Sequence, residues 1–526
     1  MKRRDIHPSP AEEAASVNDQ RASDIPEAVT WLETHRWRLF GALLLFRCIN
    51  AVLSYTAFVP DETWQSLEVS HSIVFGYGYR TWEWHMPIRG FTHPLIYAIL
   101  YKALALLHLD WPCLLVVLPR VLHAPLAVVG DVYVLKLGTH LFGKRAGKYA
   151  LLCNIASWFT FYCVTRTLSN SIETCLTPVV IYHWMNACEL TNKVEVQRHS
   201  RVYLLMIGIS CIIRPTGIPL WAPLVLAHLW IAVRVRLFWG VLRETVMLGL
   251  LTVAWSIAVD SYCYGKLVVV QWNFLEFNVL EGHSALYGAD SWHWYFTEDC
   301  PVLLFTLLPL TLLGAWLCPS NWLRAPFWLA VWELVFHSAL SHKEHRYVFP
   351  IVPVGVVYAG YCIVWLLQKY QHRLTRYLVY TLLLANVPMA LYFSLVHQRG
   401  TVAVMDYIRK DVQSNSSVLF LMPCHSTPYY SHIHQPIKME FLECPPPIRD
   451  DYVDLGKQFY SQPSSWLNSR YPTPESAPSH IVLFEEIVQE VHGFLSALNY
   501  TEVVKLFHTH FPEDKRRSSY LVLLKR

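Results

Sequence analysis

The chain alternates between long apolar blocks and short polar connections. Apolar runs fall near 37–59, 94–108, 117–141, 149–164, 174–188, 203–232, 245–264, 301–318, 325–340, 348–367 and 377–395. Most have about 15–23 residues, close to the roughly 20 needed to cross a bilayer's hydrocarbon as helix. The pattern predicts an all-α polytopic membrane protein with about eleven transmembrane helices. Block 203–232 is expected to break at Arg214-Pro215, because proline removes a backbone donor and clashes with the preceding turn. The stretch 94–141 has room for two or three crossings. Between the first two blocks lies a polar-aromatic loop, 60–92, with DETWQSLEVSHSIVFGYGYRTWEWH at its core. Its amphipathic runs predict short helices lying in the membrane interface. After His397 the pattern changes: strand-like SVLFLM, HIVLFEE and YLVLLK alternate with a helix-like stretch at 485–498. This predicts a small C-terminal α/β domain. The expected division is therefore a disordered tail at 1–36, a membrane domain at 37–396 and an α/β domain at 397–526.

Lysine and arginine in short loops favour the cytosol. The basic connections are Lys144-Arg145 with Lys148, Lys193 with Arg198 and Arg201, Arg234 with Arg236 and Arg243, and Lys369 with Arg373 and Arg376. A cytosolic 369–376 sends block 377–395 out to the lumen, with 397–526 beyond it. It also places residues 342–346 on the luminal side. With the N-terminus cytosolic, Asp61 emerges in the lumen as well. Two sequons, at Asn415 and Asn499, both fall in the segment expected to be luminal.

Composition agrees with a membrane protein. The chain is 54% hydrophobic and 16% charged, whereas soluble proteins carry about 25% charged residues. The net charge of +4 is small and scattered, which argues against a nucleic-acid partner. Residues 1–34 are charged, without the apolar core of a cleavable signal. The 13 cysteines form no CxxC pair and no zinc-like spacing. Most sit in apolar blocks, where a thiol behaves as a small hydrophobe. Cys424 and Cys444 lie in the polar C-terminal region, and either a disulfide or two free thiols fits there.

Three constellations could carry chemistry. FVPDETWQ (58–65) places Asp61 and Glu62 at the mouth of the loop. Acids at a helix N-terminus complement its dipole, and on pattern alone that is the simpler reading; the other is a general base held beside a low-dielectric region. SHKEHRY (341–347) is either a solvated turn or a phosphate-binding cluster, with His342, Lys343 and Arg346 as donors. Arg166, Glu173 and Arg214 are costly within apolar surroundings and so are functional candidates, the alternative for Glu173 being an ion pair between helices. Trp272, Trp292, His293, Trp294 and Tyr295 form an interfacial belt or stack on sugar faces, the belt being the simpler account. No P-loop, HExxH or GxSxG motif is present.

The order of these pieces resembles the GT-C-type mannosyltransferases of the endoplasmic reticulum that use dolichyl-phosphate-mannose. FVPDE and HKEHRYVFP carry that likeness. WQSLEVSHSIVFGYGYRTWEW (64–84), WFTFYCVTRTLSNSIET (158–174), LVHQRG (395–400), MPCHSTPYYSH (422–432) and LECPPP (442–447) look like the branch that adds the third mannose of glycosylphosphatidylinositol (GPI) anchors. The likeness runs from about residue 37 to the C-terminus. One departure is Tyr347, where the group usually has Phe. The resemblance implies an α1,2-mannosyl transfer on the luminal face, from the lipid phosphate donor to a two-mannose GPI intermediate. A β-linked donor and an α-product require one inverting displacement. Asp61 would be the base, with Glu62 sharing or orienting it. The cations of 342–346 would stabilise the departing phosphate, so neither a general acid nor a metal or other cofactor is expected. The alternatives are a sibling enzyme, acting on the N-glycan precursor or adding a fourth GPI mannose, and a polytopic lipid or solute transporter. Inverted repeats, common in transporters, are not visible.

Overall fold

The computed structural model describes residues 37–283, 288–446, 454–512 and 514–526. The expected N-terminal tail, 1–36, lies outside them. The described chain is mostly helical and divides into two compact units. One holds the residues up to Ala51 together with Val121–Ala390; the other holds Val52–Arg120 together with Leu391–Arg526.

The first unit is built from apolar helices. Among the described residues of the whole chain, six stretches are long and apolar enough to cross a membrane by length and composition: Pro215–Arg234, Phe238–Tyr264, Tyr295–Leu317 and Phe349–Lys369 lie within this unit, while Pro112–Phe142 and Arg373–Asp411 have residues in both. The other expected crossings fall on shorter or more polar helices, such as Lys144–Ala156 followed by Trp158–Cys163. The stretch 94–141 resolves into two helices, Thr92–Leu106, which belongs to the second unit, and Pro112–Phe142. Helix Phe238–Tyr264 turns Trp239, Leu250, Leu251 and Trp255 outward, which suits a hydrocarbon surround. The break at Arg214-Pro215 is present. Helix Lys193–Ile213 ends with Arg214 extended, and Pro215 opens a 3-10 turn that leads into Ile218–Arg234. Small residues let helices touch closely. A side chain at Gly360 would meet the backbone of Ala150, and one at Gly314 would meet the carbonyl of Tyr358. One buried charge in this unit is paired: Arg47 donates to both oxygens of Asp131 at 2.8 and 2.6 Å, and Asn154 donates to the same carboxylate at 2.7 Å.

The second unit contains a five-stranded sheet of order β2-β1-β3-β5-β4. Its strands are β1 (Ser417–Leu421), β2 (Lys438–Phe441), β3 (His480–Phe484), β4 (Thr501–Phe507) and β5 (Tyr520–Lys525). β1, β2 and β3 are parallel, while β5 runs antiparallel to both of its neighbours, β3 and β4. β3 is buried throughout and β5 nearly so, as expected of near-continuous apolar strands covered on both faces. One face packs a core containing Val404, Met405, Ile408, Tyr429 and Phe420; the other packs Phe459, Leu467, Phe494 and Leu495.

Loop 60–92 differs from expectation in its surroundings. Its short helices, Thr63–Leu67, Glu68–Phe75 and Trp82–His85, are present. The first two are not interfacial, because Trp64, Leu67, Glu68, Val69 and His71 are buried in protein. Trp64 belongs to the core on one face of the sheet and donates its indole N–H to the Thr427 carbonyl at 2.9 Å.

Candidate active site

Pro60 starts the local geometry of the acidic motif. Its carbonyl accepts from the amides of Thr63 and Trp64, both at 3.0 Å, so Asp61 and Glu62 stand on the first turn of a helix. Their surroundings then diverge. Glu62 is buried and faces the guanidinium of Arg120 at 3.3 Å. Asp61 is half-buried, and its charge acts on the imidazole of His425. Beside them opens a cleft whose lining includes Phe58, Val59, Pro60 and Glu62 together with His425 to Pro428. Asp61 is not among its lining residues, although both its chain neighbours are.

Glu68 fastens this motif to the C-terminal segment. Its Oε1 accepts from Tyr429 N (2.9 Å), Ser431 N (3.1 Å) and Ser431 Oγ (2.5 Å). Burial pushes its carboxyl up to about 7, against the pull of these hydrogen bonds. Next to it, Ser431 Oγ meets His432 Nδ1 at 2.9 Å, and His71 Nε2 meets His434 Nδ1 at 2.9 Å. Burial drives His71 and His425 down to about 4 and His432 to about 3. All three are neutral imidazoles at ordinary pH.

Cys424 and Cys444 form a disulfide with Cα atoms 6.1 Å apart, which decides between the two readings of that pair. Among the described residues, Cys424, His425 and Cys444 are near enough to share an ion, but the two sulfurs are bonded to each other.

The second motif lies in the other unit and is organised around Glu344. This carboxylate accepts from Arg346 through two bonds of 2.7 Å, from Tyr347 Oη at 2.9 Å, and pairs with His342 at 3.1 Å. Burial favours its neutral form, but Arg346 and His342 prevail and hold it well below the usual carboxylate range. Lys343 donates to the carbonyls of Leu340 (2.5 Å) and Asp290 (3.3 Å). The motif is braced by Asn170, which donates to the Arg346 carbonyl at 2.9 Å. Arg214 donates to the carbonyl of Tyr347 at 3.2 Å and to Glu173 at 2.5 Å. Glu173 and Arg214 are therefore partners in a buried ion pair that supports this motif. Arg166 is fully buried and donates to the Tyr162 carbonyl at 2.8 Å. Trp292 and His293 are exposed while Tyr295 is buried, a distribution that suits an interfacial belt.

A family model, the Alg9-like mannosyltransferase family, matches residues 38–434. The chain belongs to the Alg9-like mannosyltransferase family. It is 40% identical over 486 residues to GPI alpha-1,2-mannosyltransferase 3 of Xenopus laevis, covering 91% of this chain and 89% of the relative. The human protein of that name is 39% identical, covering 90% and 85%. Among solved structures, ArnT from Cupriavidus metallidurans bound to undecaprenyl phosphate superposes with a TM-score of 0.60 at 12% identity, covering 93% and 98% of the two chains. That likeness extends to the fold.

Sequence reasoning missed Glu68, Arg120 and His432 as members of the site. WQSLEVSH and STPYYSH both carried the family likeness, but nothing in either stretch announced that they meet. Asn415 and Asn499 are both exposed, so both sequons are accessible for modification.

Proposed function

We propose that this chain is a GPI alpha-1,2-mannosyltransferase of the endoplasmic reticulum membrane. It moves mannose from dolichyl-phosphate-mannose to a two-mannose GPI intermediate on the luminal side. The observation that carries this reading is the similarity to GPI alpha-1,2-mannosyltransferase 3 over about nine-tenths of this chain and most of each relative. In the reaction, an acceptor hydroxyl attacks C1 of the donor mannose while the bond from C1 to the phosphate oxygen breaks, with inversion. Asp61 takes the hydroxyl proton. Glu62, buried against Arg120, holds the motif in place. Dolichyl phosphate leaves as an anion, so no protonated leaving-group acid is needed, unlike glycoside hydrolysis. Arg346, His342 and Lys343 provide the positive charge for that phosphate, with Glu344 fixing the fork of Arg346. The chemistry assigned to these residues requires no metal.

The test is transfer of labelled mannose by microsomes that contain only this chain as the relevant enzyme. Two-mannose GPI should be extended in an α1,2 linkage. Extension of a three-mannose GPI or of a dolichol-linked oligosaccharide, with the two-mannose acceptor inert, would assign the chain to a sibling activity.

A further inference from the structure

The cleft beside FVPDE contains a buried imidazole whose hydrogen-bonding state is dictated by its neighbours. Ser431 has one hydroxyl proton, and it is given to Glu68 Oε1. Toward His432 the serine oxygen can only accept, so His432 Nδ1 carries a proton and donates it across 2.9 Å. A neutral imidazole protonated at Nδ1 has a bare lone pair at Nε2. His432 is 3% exposed and lines the cleft, and its Nε2 is a buried atom with no hydrogen-bond partner among the described residues. Buried polar atoms left without partners are uncommon and point to a role. His508 lines the same cleft, and its Nδ1 is also buried without a partner among the described residues.

The ligand chemistry follows from this state. Nε2 can only accept, so the group it meets must be a donor. Burial, then the guanidinium groups of Arg120 and Arg409, keep the ring neutral, and the same positive charges disfavour an ammonium ion there. A neutral ring is also a poor anchor for phosphate. A hydroxyl group fits all three conditions. Resting on the mannosyltransferase reading above, we infer that His432 Nε2 positions a hydroxyl of the acceptor glycan, other than the one that attacks, in the cleft beside Asp61. His432 is thus a positioning and specificity residue of the acceptor site, and the C-terminal segment that carries it takes part in choosing the acceptor. The chain Glu68–Ser431–His432 sets the tautomer that makes this possible.

The experiment compares His432→Asn with His432→Gln in full-length enzyme in membranes. Asparagine can keep the Nδ1-side hydrogen bond to Ser431 but has no atom at Nε2; glutamine places its amide oxygen near Nε2. Kinetics are measured with two-mannose GPI and with analogues in which single non-nucleophilic hydroxyls of the terminal mannose are removed. In wild type, one analogue should lose about tenfold in kcat/KM, the scale of one lost hydrogen bond. His432→Asn should lose a similar factor on the full acceptor, mostly in acceptor KM, with donor KM unchanged and no further loss on that analogue. His432→Gln should recover a substantial part. Equal behaviour of the two variants overturns the inference, as does full discrimination by His432→Asn or a wild type indifferent to every such hydroxyl. If wild type transfers nothing to two-mannose GPI, the functional reading falls first, and this inference with it.

Discussion

Glu68 is the sharpest place to test the packing of the acidic loop on the C-terminal segment. Its carboxyl is buried, and its proton affinity is pushed up from the ordinary 4.5 to about 7. Between those values the folded protein holds a proton that the unfolded chain releases. The unfolded state binds fewer protons there, so stability falls as the pH rises from 4.5 toward 7 and then levels off. At about 1.4 kcal/mol per pH unit, the loss amounts to about 3 kcal/mol. Glu68→Gln removes this titration. It also keeps an oxygen at Oε1, the atom that takes all three donors from Tyr429 and Ser431. The variant should therefore match wild type near pH 4.5 and gain on it by about 3 kcal/mol by pH 8. Glu68→Ala leaves those donors without their partner and should be destabilised at every pH, by at least about 2 kcal/mol. The assay is thermal unfolding in detergent micelles, followed by a thiol-reactive dye, at intervals from pH 5 to 8. Curves for wild type and Glu68→Gln that stay parallel across this range would refute the reasoning, as would a gap that closes toward high pH.

Three further outcomes are expected. Arg120→Ala leaves the buried Glu62 charge without its guanidinium and should cost about 3–5 kcal/mol, whereas Arg120→Met combined with Glu62→Gln should cost clearly less; thermal unfolding of both separates a charge effect from simple loss of packing. The Cys424–Cys444 bridge closes a loop of sequence separation 20, worth about 3 kcal/mol; dithiothreitol should lower the melting temperature of wild type but not of the Cys424→Ser/Cys444→Ser double variant. Luminal placement of the C-terminal segment predicts that Asn415→Gln and Asn499→Gln each remove one glycosidase-sensitive shift on a gel, while protease protection of a C-terminal tag in sealed microsomes gives an independent reading.

The features most legible in the sequence were those fixed by local pattern. Apolar blocks announced the membrane helices, and Arg214-Pro215 announced its break because a proline's geometry is intrinsic to the residue. The buried strands β1, β3 and β5 were visible as continuous apolar runs. β2 and β4 were not: β2 has four residues, and β4 is an edge strand whose exposed Thr501, Glu502 and Lys505 blunt its apolar pattern. The acidic motif was identified by position and resemblance, with Asp61 as the expected base, yet whether Glu62 shares that role or orients it stayed open. What separates them is Arg120, far along the chain from Glu62. The Glu68–Ser431 contact spans 363 positions, and no local periodicity encodes such a meeting. Glu173 and Arg214 were open between ligand binding and mutual pairing until their 2.5 Å contact joined them.

In the proposed reaction Asp61 is the base of the mannosyl transfer. The most direct measurement is kcat for Asp61→Asn with labelled dolichyl-phosphate-mannose and two-mannose GPI, at protein levels matched to wild type. Asparagine keeps the shape and a hydrogen-bonding oxygen but cannot take the proton. A fall of at least about 100-fold in kcat is expected, with little change in KM for either substrate. Turnover within about twofold of wild type, well short of the loss expected for a missing base, would contradict it.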